Sequence, residues 1–203
     1  MPNIAVINYG GGNTRSVTLA LEKFGATPIL ATEPKHIENA DSLVFPGQGA
    51  NDPSMRNLRK SKLIDPILRF VESERPFLGV CLGLQLLFES SEEGTERGLG
   101  IFKGTVKKLP NNLKTPHMGW NMVNFQKRNE SLFELPTNDY FYFVHSYYVV
   151  PAESSLICGT TEYGLEFCSA VTYKNVLAVQ FHPERSGEVG LQIYKHFVSI
   201  TNC

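Results

Sequence analysis

Residues 77–88, Phe-Leu-Gly-Val-Cys-Leu-Gly-Leu-Gln-Leu-Leu-Phe, constrain this chain more than any other stretch. After Pro76 a short apolar run reads as a buried strand, and Leu84, Leu87 and Phe88 fall at the spacing of a helix face. Gly79 and Gly83 stand two residues to either side of Cys81. Glycine flanks let a backbone turn sharply without Cβ clashes. A strand that turns sharply into a helix lifts a nucleophile above its sheet, as in the nucleophile elbow usually met with serine. The sulfur of Cys81 would then stand at a helix N-terminus, where unpaired N–H groups and the macrodipole attract negative charge. The competing reading is a small buried hydrophobe, since free cysteine is commonly buried.

The elements before this stretch alternate. Residues 4–8 read as a strand and 9–13 as a glycine-rich turn, with Asn13 a candidate N-cap. Val17, Ala20, Leu21 and Phe24 predict an amphipathic helix stopped by Gly25. Gly10 and Gly12 match two positions of a dinucleotide fingerprint, but Arg15 occupies the third, so a tight β–α connection is the better reading. Residues 27–31 read as a strand, 34–40 as a short helix and 42–45 as a third strand. That strand ends in Pro46-Gly47-Gln48-Gly49-Ala50. Such a loop can present backbone N–H groups to an anion or a developing oxyanion, or be a plain turn. A helix is expected over 64–71. This alternation predicts an α/β fold with a mostly parallel sheet and helices on both faces.

After a polar loop at 91–98 the chain becomes strand-rich, over 104–108, 122–125, 140–150, 155–160, 165–172 and 176–181. Antiparallel strands added to the parallel core fit this better than a second domain, so one domain is expected over 1–203. Val189, Ile193 and Phe197 predict a closing helix over 187–200. Lys and Arg number 19 against 20 Asp and Glu, which points to neither a nucleic-acid nor a membrane partner. No signal-peptide pattern or membrane-length apolar run is seen. Cys81, Cys158, Cys168 and Cys203 lack metal-ligand spacing, and reduced cytoplasmic thiols are expected, with no metal or cofactor.

Val179-Gln180-Phe181-His182-Pro183-Glu184 carries the second chemical signal. Pro183 has no N–H to continue a strand ladder. Residues i and i+2 of an extended segment point the same way, so Glu184 is expected to reach and orient His182. Cys81, His182 and Glu184 then form a candidate triad for acyl transfer at the C-terminal edge of the sheet. The oxyanion would meet the Leu82 N–H and an N–H of the loop at 47–49. The residues alone leave amide, peptide and ester substrates open.

Residues 79–85 together with 181–184 resemble the class I glutamine amidotransferases, which release ammonia from glutamine on a flavodoxin-like core. Residues 8–13, 46–49, Pro116-His117-Met118-Gly119-Trp120-Asn121 and 142–147 are similar, more narrowly, to the glutaminase subunits of imidazole glycerol phosphate synthase. The resemblance implies that Cys81, His182 and Glu184 are the triad. It implies that Gln85 and the backbone at Ser146 and Tyr147 hold glutamine, with Gly49 and Leu82 at the oxyanion. It also implies that Met118, Trp120 and Tyr142 face a (β/α)8-barrel synthase subunit that receives the ammonia for histidine biosynthesis. His117 and His145 are read as structural or interface histidines. Gln48 stands where the family often has valine, which leaves a backbone donor intact. A paralogue feeding a sugar-modifying synthase, a stand-alone cysteine hydrolase and a catalytically silent scaffold remain as alternatives.

Overall fold

The computed structural model describes residues 2–10, 13–126 and 138–201. Gly11 and Gly12 of the glycine-rich turn, and Cys203, lie outside the described residues. The first half alternates: β1 (Asn3–Ile7), α1 (Thr14–Glu22), β2 (Thr27–Ala31), α2 (Pro34–Glu38), β3 (Ser42–Gly47), α3 (Asn51–Lys60), α4 (Ile64–Glu72) and β4 (Phe77–Cys81). A single helical turn, α5 (Leu82–Gln85), leads into β5 (Phe88–Ser91) and β6 (Phe102–Lys108). Then come β7 (His117–Phe125), β8 (Asp139–His145), β9 (Tyr147–Pro151), β10 (Ile157–Glu162), β11 (Glu166–Tyr173), β12 (Val176–Val179) and the closing helix α6 (Gly187–Thr201).

The sheet runs β2-β1-β3-β4-β12-β11-β10-β7-β8, parallel from β2 to β12 and antiparallel beyond. Strand alternation divides its apolar side chains between two layers. Ile4, Val6, Val44, Leu78 and Val179 pack against α1 and α6 through Val17, Leu21, Ile193 and Phe197. Ala5, Ile7, Phe45 and Phe77 pack on the other face against Ile37, Met55, Leu58, Ile67 and Phe70 of α2, α3 and α4. Asn13 caps α1 by accepting the Ser16 N–H, and Gly25 leaves the helix at φ +81°.

Several expectations are corrected. The α3 helix was not expected, because only Met55 and Leu58 of its large apolar residues are buried and the rest is polar. The helix after Cys81 stops at one turn. The carbonyls of Leu86, Leu87 and Phe88 accept N–H groups of Leu99, Phe102 and Gly100, so they are not available to a continuing helix. The expected strand over 140–150 is broken at Ser146 into β8 and β9, which pair with different neighbours. Strand β7 begins five residues before the apolar pattern suggests, at His117.

Candidate active site

The bend at Cys81 is strained at the cysteine itself. Its φ is +55° and ψ −112°, a conformation that costs a non-glycine residue about 1–3 kcal/mol. Gly79 and Gly83 do not take positive φ, so they are not the residues that turn the chain. They are glycine because no Cβ fits. At Gly83 a Cβ would collide with the Phe45 carbonyl oxygen, and at Gly79 it would lie 2.8 Å from Ala178 Cβ. A Cβ at Gly47 would lie 2.6 Å from Gly83 N. The ends of β3 and β4 and the first turn of α5 therefore interlock backbone against backbone.

β12 pairs in parallel with β4, Val179 opposite Val80, and so delivers His182 beside Cys81. The backbone N–H of His182 donates to the Tyr142 carbonyl at 2.9 Å. Nδ1 of His182 lies 2.8 Å from Glu184 Oε1, and both side chains are buried. The contact forms by a different route from the one expected. Residues Pro183–Arg185 make a 3-10 turn, closed by Arg185 N–H to the His182 carbonyl, that folds Glu184 back onto the imidazole. Proline starts such a turn readily because its φ is preset. The Tyr194 hydroxyl of α6 donates to the other Glu184 oxygen at 3.4 Å.

Nε2 of His182 is buried and has no hydrogen-bond partner among the described residues. It belongs to a side chain lining the same cavity as Cys81. Burial pulls the imidazolium down, but interactions with Cys81 and Glu184 outweigh it and push the pKa up to about 10. The Cys81 sulfur lies 3.6 Å from Gln180 Nε2 and 3.9 Å from the Val144 carbonyl.

The shared cavity measures about 360 Å³. It is lined by Gln48, Gly49, Leu82, Gln85, His145, Ser146 and Tyr147 as well as Cys81 and His182, all singled out in the sequence. Gly49 sits at φ +102° with open space where a Cβ would be. Gln85 Nε2 donates to the Tyr147 carbonyl and to Gln180 Oε1, each at 2.9 Å. Glu93 and Arg185 also line the cavity and were missed. Glu93 is its one carboxylate among the described residues. Burial pushes the Glu93 carboxyl up, against the pull of the Asn51 N–H 2.8 Å away. Nothing in the polar loop at 91–98 distinguishes Glu93 from its acidic neighbours. Its placement comes from Asp52, which accepts the Thr95 and Glu96 N–H groups and so ties the loop to α3; those bonds hold the Asp52 carboxyl down at about 2. A larger cavity of about 620 Å³ beside Tyr173 and Lys174 holds neither Cys81 nor His182.

Met118, Trp120 and Tyr142 do not line the cavity. Met118 is 62% and Trp120 54% exposed on β7. Tyr142, opposite Trp120 on β8, meets its ring edge-on at 6.2 Å and carries the Arg185 guanidinium 4.2 Å above its own ring. His117 of β7 and His145 of β8 are buried, His145 lining the cavity, with their rings 2.9 Å apart at the nearest nitrogens.

Comparison with known proteins gives the family. Residues 5–200 match the family model "Glutamine amidotransferase class-I". The chain is 47% identical over 203 residues to "Imidazole glycerol phosphate synthase subunit HisH" of Nostoc punctiforme, covering 98% of this chain and 96% of that protein. It is 48% identical over 194 residues to the protein of the same name from Aquifex aeolicus, covering 95% and 94%. Among solved structures, one titled "Crystal structure of glutamine amidotransferase" is similar with a TM-score of 0.76 at 17% identity, covering 98% of this chain and 99% of that one. "Structure of PurLQS from Thermotoga maritima" is similar at 0.74 and 20% identity, covering 100% and 99%. With nearly the whole chain matched by the family model, and with relatives this similar, the chain belongs to the class I glutamine amidotransferases, among the HisH subunits of imidazole glycerol phosphate synthase.

Proposed function

We propose that this cavity hydrolyses glutamine and that the ammonia passes to a (β/α)8-barrel synthase subunit for imidazole glycerol phosphate formation. The observation that carries the chemistry is the unpartnered Nε2 of His182, buried on the cavity it shares with Cys81. Glu184 holds the Nδ1 proton, so Nε2 is the nitrogen that trades a proton with Cys81, and the raised pKa keeps that proton on the imidazole beside the sulfur. Nε2 takes the Cys81 thiol proton, and Sγ attacks the side-chain carboxamide carbon of glutamine. The oxyanion meets the Leu82 N–H and an N–H of the Gly49 loop. His182 returns the proton to the leaving nitrogen, which departs as ammonia. Water, deprotonated by the same imidazole, then opens the γ-glutamyl thioester to glutamate. Gln85 and the backbone at Ser146 and Tyr147 hold the substrate. Glu93 has the charge to receive its α-ammonium group. All 203 residues act as one domain in this scheme, in the cytoplasm.

Met118, Trp120 and Tyr142 form the face offered to the synthase subunit. Ammonia in neutral water is largely protonated and diffuses away, so hydrolysis uncoupled from the acceptor wastes glutamine. Glutamate release is therefore expected to be weak from this chain alone and to rise steeply when a barrel synthase and its ligand are added. Equal release with and without that subunit would overturn the coupling. Turnover of peptides or esters in preference to glutamine would favour a stand-alone hydrolase.

A further inference from the structure

A chain of polar side chains runs from strand β7 to the candidate nucleophile, and both of its ends dictate the same hydrogen-bond polarity. The Tyr147 carbonyl can only accept. It takes His145 Nδ1 at 2.8 Å and Gln85 Nε2 at 2.9 Å. His145 therefore carries its proton on Nδ1 and accepts at Nε2. That Nε2 lies 2.9 Å from His117 Nδ1, which must donate and so leaves His117 Nε2 as an acceptor. The far end requires the same order independently. Asn121 Oδ1 accepts the Met122 N–H at 2.8 Å and its Nδ2 donates to the Glu162 carbonyl at 2.9 Å. The amide therefore presents Nδ2, a donor, to His117 Nε2 at 3.3 Å.

Both imidazoles are neutral. Burial lowers His117 to about 4. Burial above all, with the charge of His182, lowers His145 to about 3 against the pull of the Tyr147 carbonyl. The second branch from Tyr147 is ordered in the same way. Gln85 gives its N–H to Gln180 Oε1, which leaves Gln180 Nε2 aimed at Cys81 Sγ 3.6 Å away. Strand alternation completes the picture: His117 and Asn121 point inward from β7, and Met118 and Trp120 point outward.

We propose that His117 and His145 are positioning residues for glutamine hydrolysis: locked as Nδ1–H tautomers, they hold the Tyr147 carbonyl, and through it the Gln85–Gln180–Cys81 arm, in register with the strand that presents Met118 and Trp120. This rests on the glutaminase reading of the cavity. Because residues 146 and 147 hold substrate in that reading, a slack chain weakens binding more than turnover.

Two measurements test it. In a long-range ¹H–¹⁵N correlation spectrum of the ¹⁵N-histidine-labelled protein near neutral pH, His117 and His145 are expected as neutral rings protonated at Nδ1. This is the tautomer that free histidine populates less. A ring protonated at Nε2, or a cationic ring at either position, overturns the proposal. In steady-state glutamate release, His117→Phe preserves ring stacking on Phe143 and Tyr163 but cannot donate. It is expected to raise KM for glutamine about five- to tenfold, with kcat within about twofold. His117→Asn, whose amide nitrogen falls where Nδ1 stood, restores KM, whereas His117→Gln does not. The Asn and Gln pair decides the matter should the Phe variant fail to fold. Unchanged KM in a folded His117→Phe or His117→Gln variant overturns the proposal. The nitrogen spectrum reports the tautomers whatever Cys81→Ala does to hydrolysis, so failure of this proposal and failure of the glutaminase reading are separate results.

Discussion

At the scale of single residues, the positive φ of Cys81 sets stability against chemistry. Cys81→Ala is expected to lower glutamate release about 10⁴-fold or more, the loss typical of removing a nucleophile. Cys81→Gly removes the sulfur as well but relieves the backbone. It is expected to be about 1–2 kcal/mol more stable than Cys81→Ala in urea denaturation, because glycine alone adopts this conformation without strain. Glu184→Gln retains the size of the side chain but can present an N–H to His182 Nδ1, which favours the wrong tautomer. Release is expected to fall by about 10²–10⁴, with the fold intact by circular dichroism. The histidines also predict how stability varies with pH. In an unfolded chain an imidazole titrates near about 6.5. His182 titrates at about 10 in the folded chain, so its contribution is complete below the unfolded value and fades as pH climbs toward 10. His117 and His145 titrate at about 4 and 3, so the unfolded state binds protons first and stability drops as pH falls from about 6.5. Scanning calorimetry from pH 4 to 10 is expected to give a maximum melting temperature near neutrality. His182→Asn should flatten the alkaline side alone.

At the scale of elements, the site depends on how closely β3, β4 and α5 approach. Gly83→Ala pushes a methyl group into the Phe45 carbonyl, and backbone cannot yield as a flexible side chain does. A loss of about 3 kcal/mol or more is expected, read as a lower urea midpoint. Gly25, by contrast, has open space around it and only its φ of +81° to satisfy. The 3-10 turn Pro183–Arg185 and helix α6 act together on Glu184, one bringing it to His182 and the other supplying the Tyr194 hydroxyl. The single-turn length of α5 is also an element-level outcome, since the segment at 98–102 takes the carbonyls of the residues just beyond it.

At the scale of the whole molecule, the parallel core positions the chemistry and the antiparallel extension carries the outward face. The β7–β8 ribbon ends the sheet and presents Met118, Trp120 and Tyr140. Exposed aromatic and methionine side chains of this kind dominate binding energy where a partner covers them. Trp120→Ala is expected to weaken the complex with a barrel synthase by about 2 kcal/mol or more in isothermal titration calorimetry, with glutamate release by the chain alone within about twofold. The ribbon touches the catalytic side through the Tyr142 carbonyl, which accepts the His182 N–H, and through the His117–His145 pair. Docking and hydrolysis therefore share backbone and a pair of buried histidine side chains.

The periodic elements were legible before any coordinates. The capped, glycine-stopped α1 follows from short-range pattern, because burial of one face imposes a period that adjacent residues display. The places of Cys81 at a bend and of His182 and Glu184 after a strand were legible too, since flanking glycines and a following proline leave a local signature. Tertiary structure alone decided what depends on distant partners. Glu93 reached the cavity because Asp52 caught its loop. Gly79 and Gly83 proved to be spacers and not hinges because β12 and β3 press against them. His117 and His145 acquired single tautomers because a carbonyl at residue 147 and an amide at residue 121 close on them from opposite sides. A local pattern records which face of an element is buried; it does not record which atom from another element arrives there.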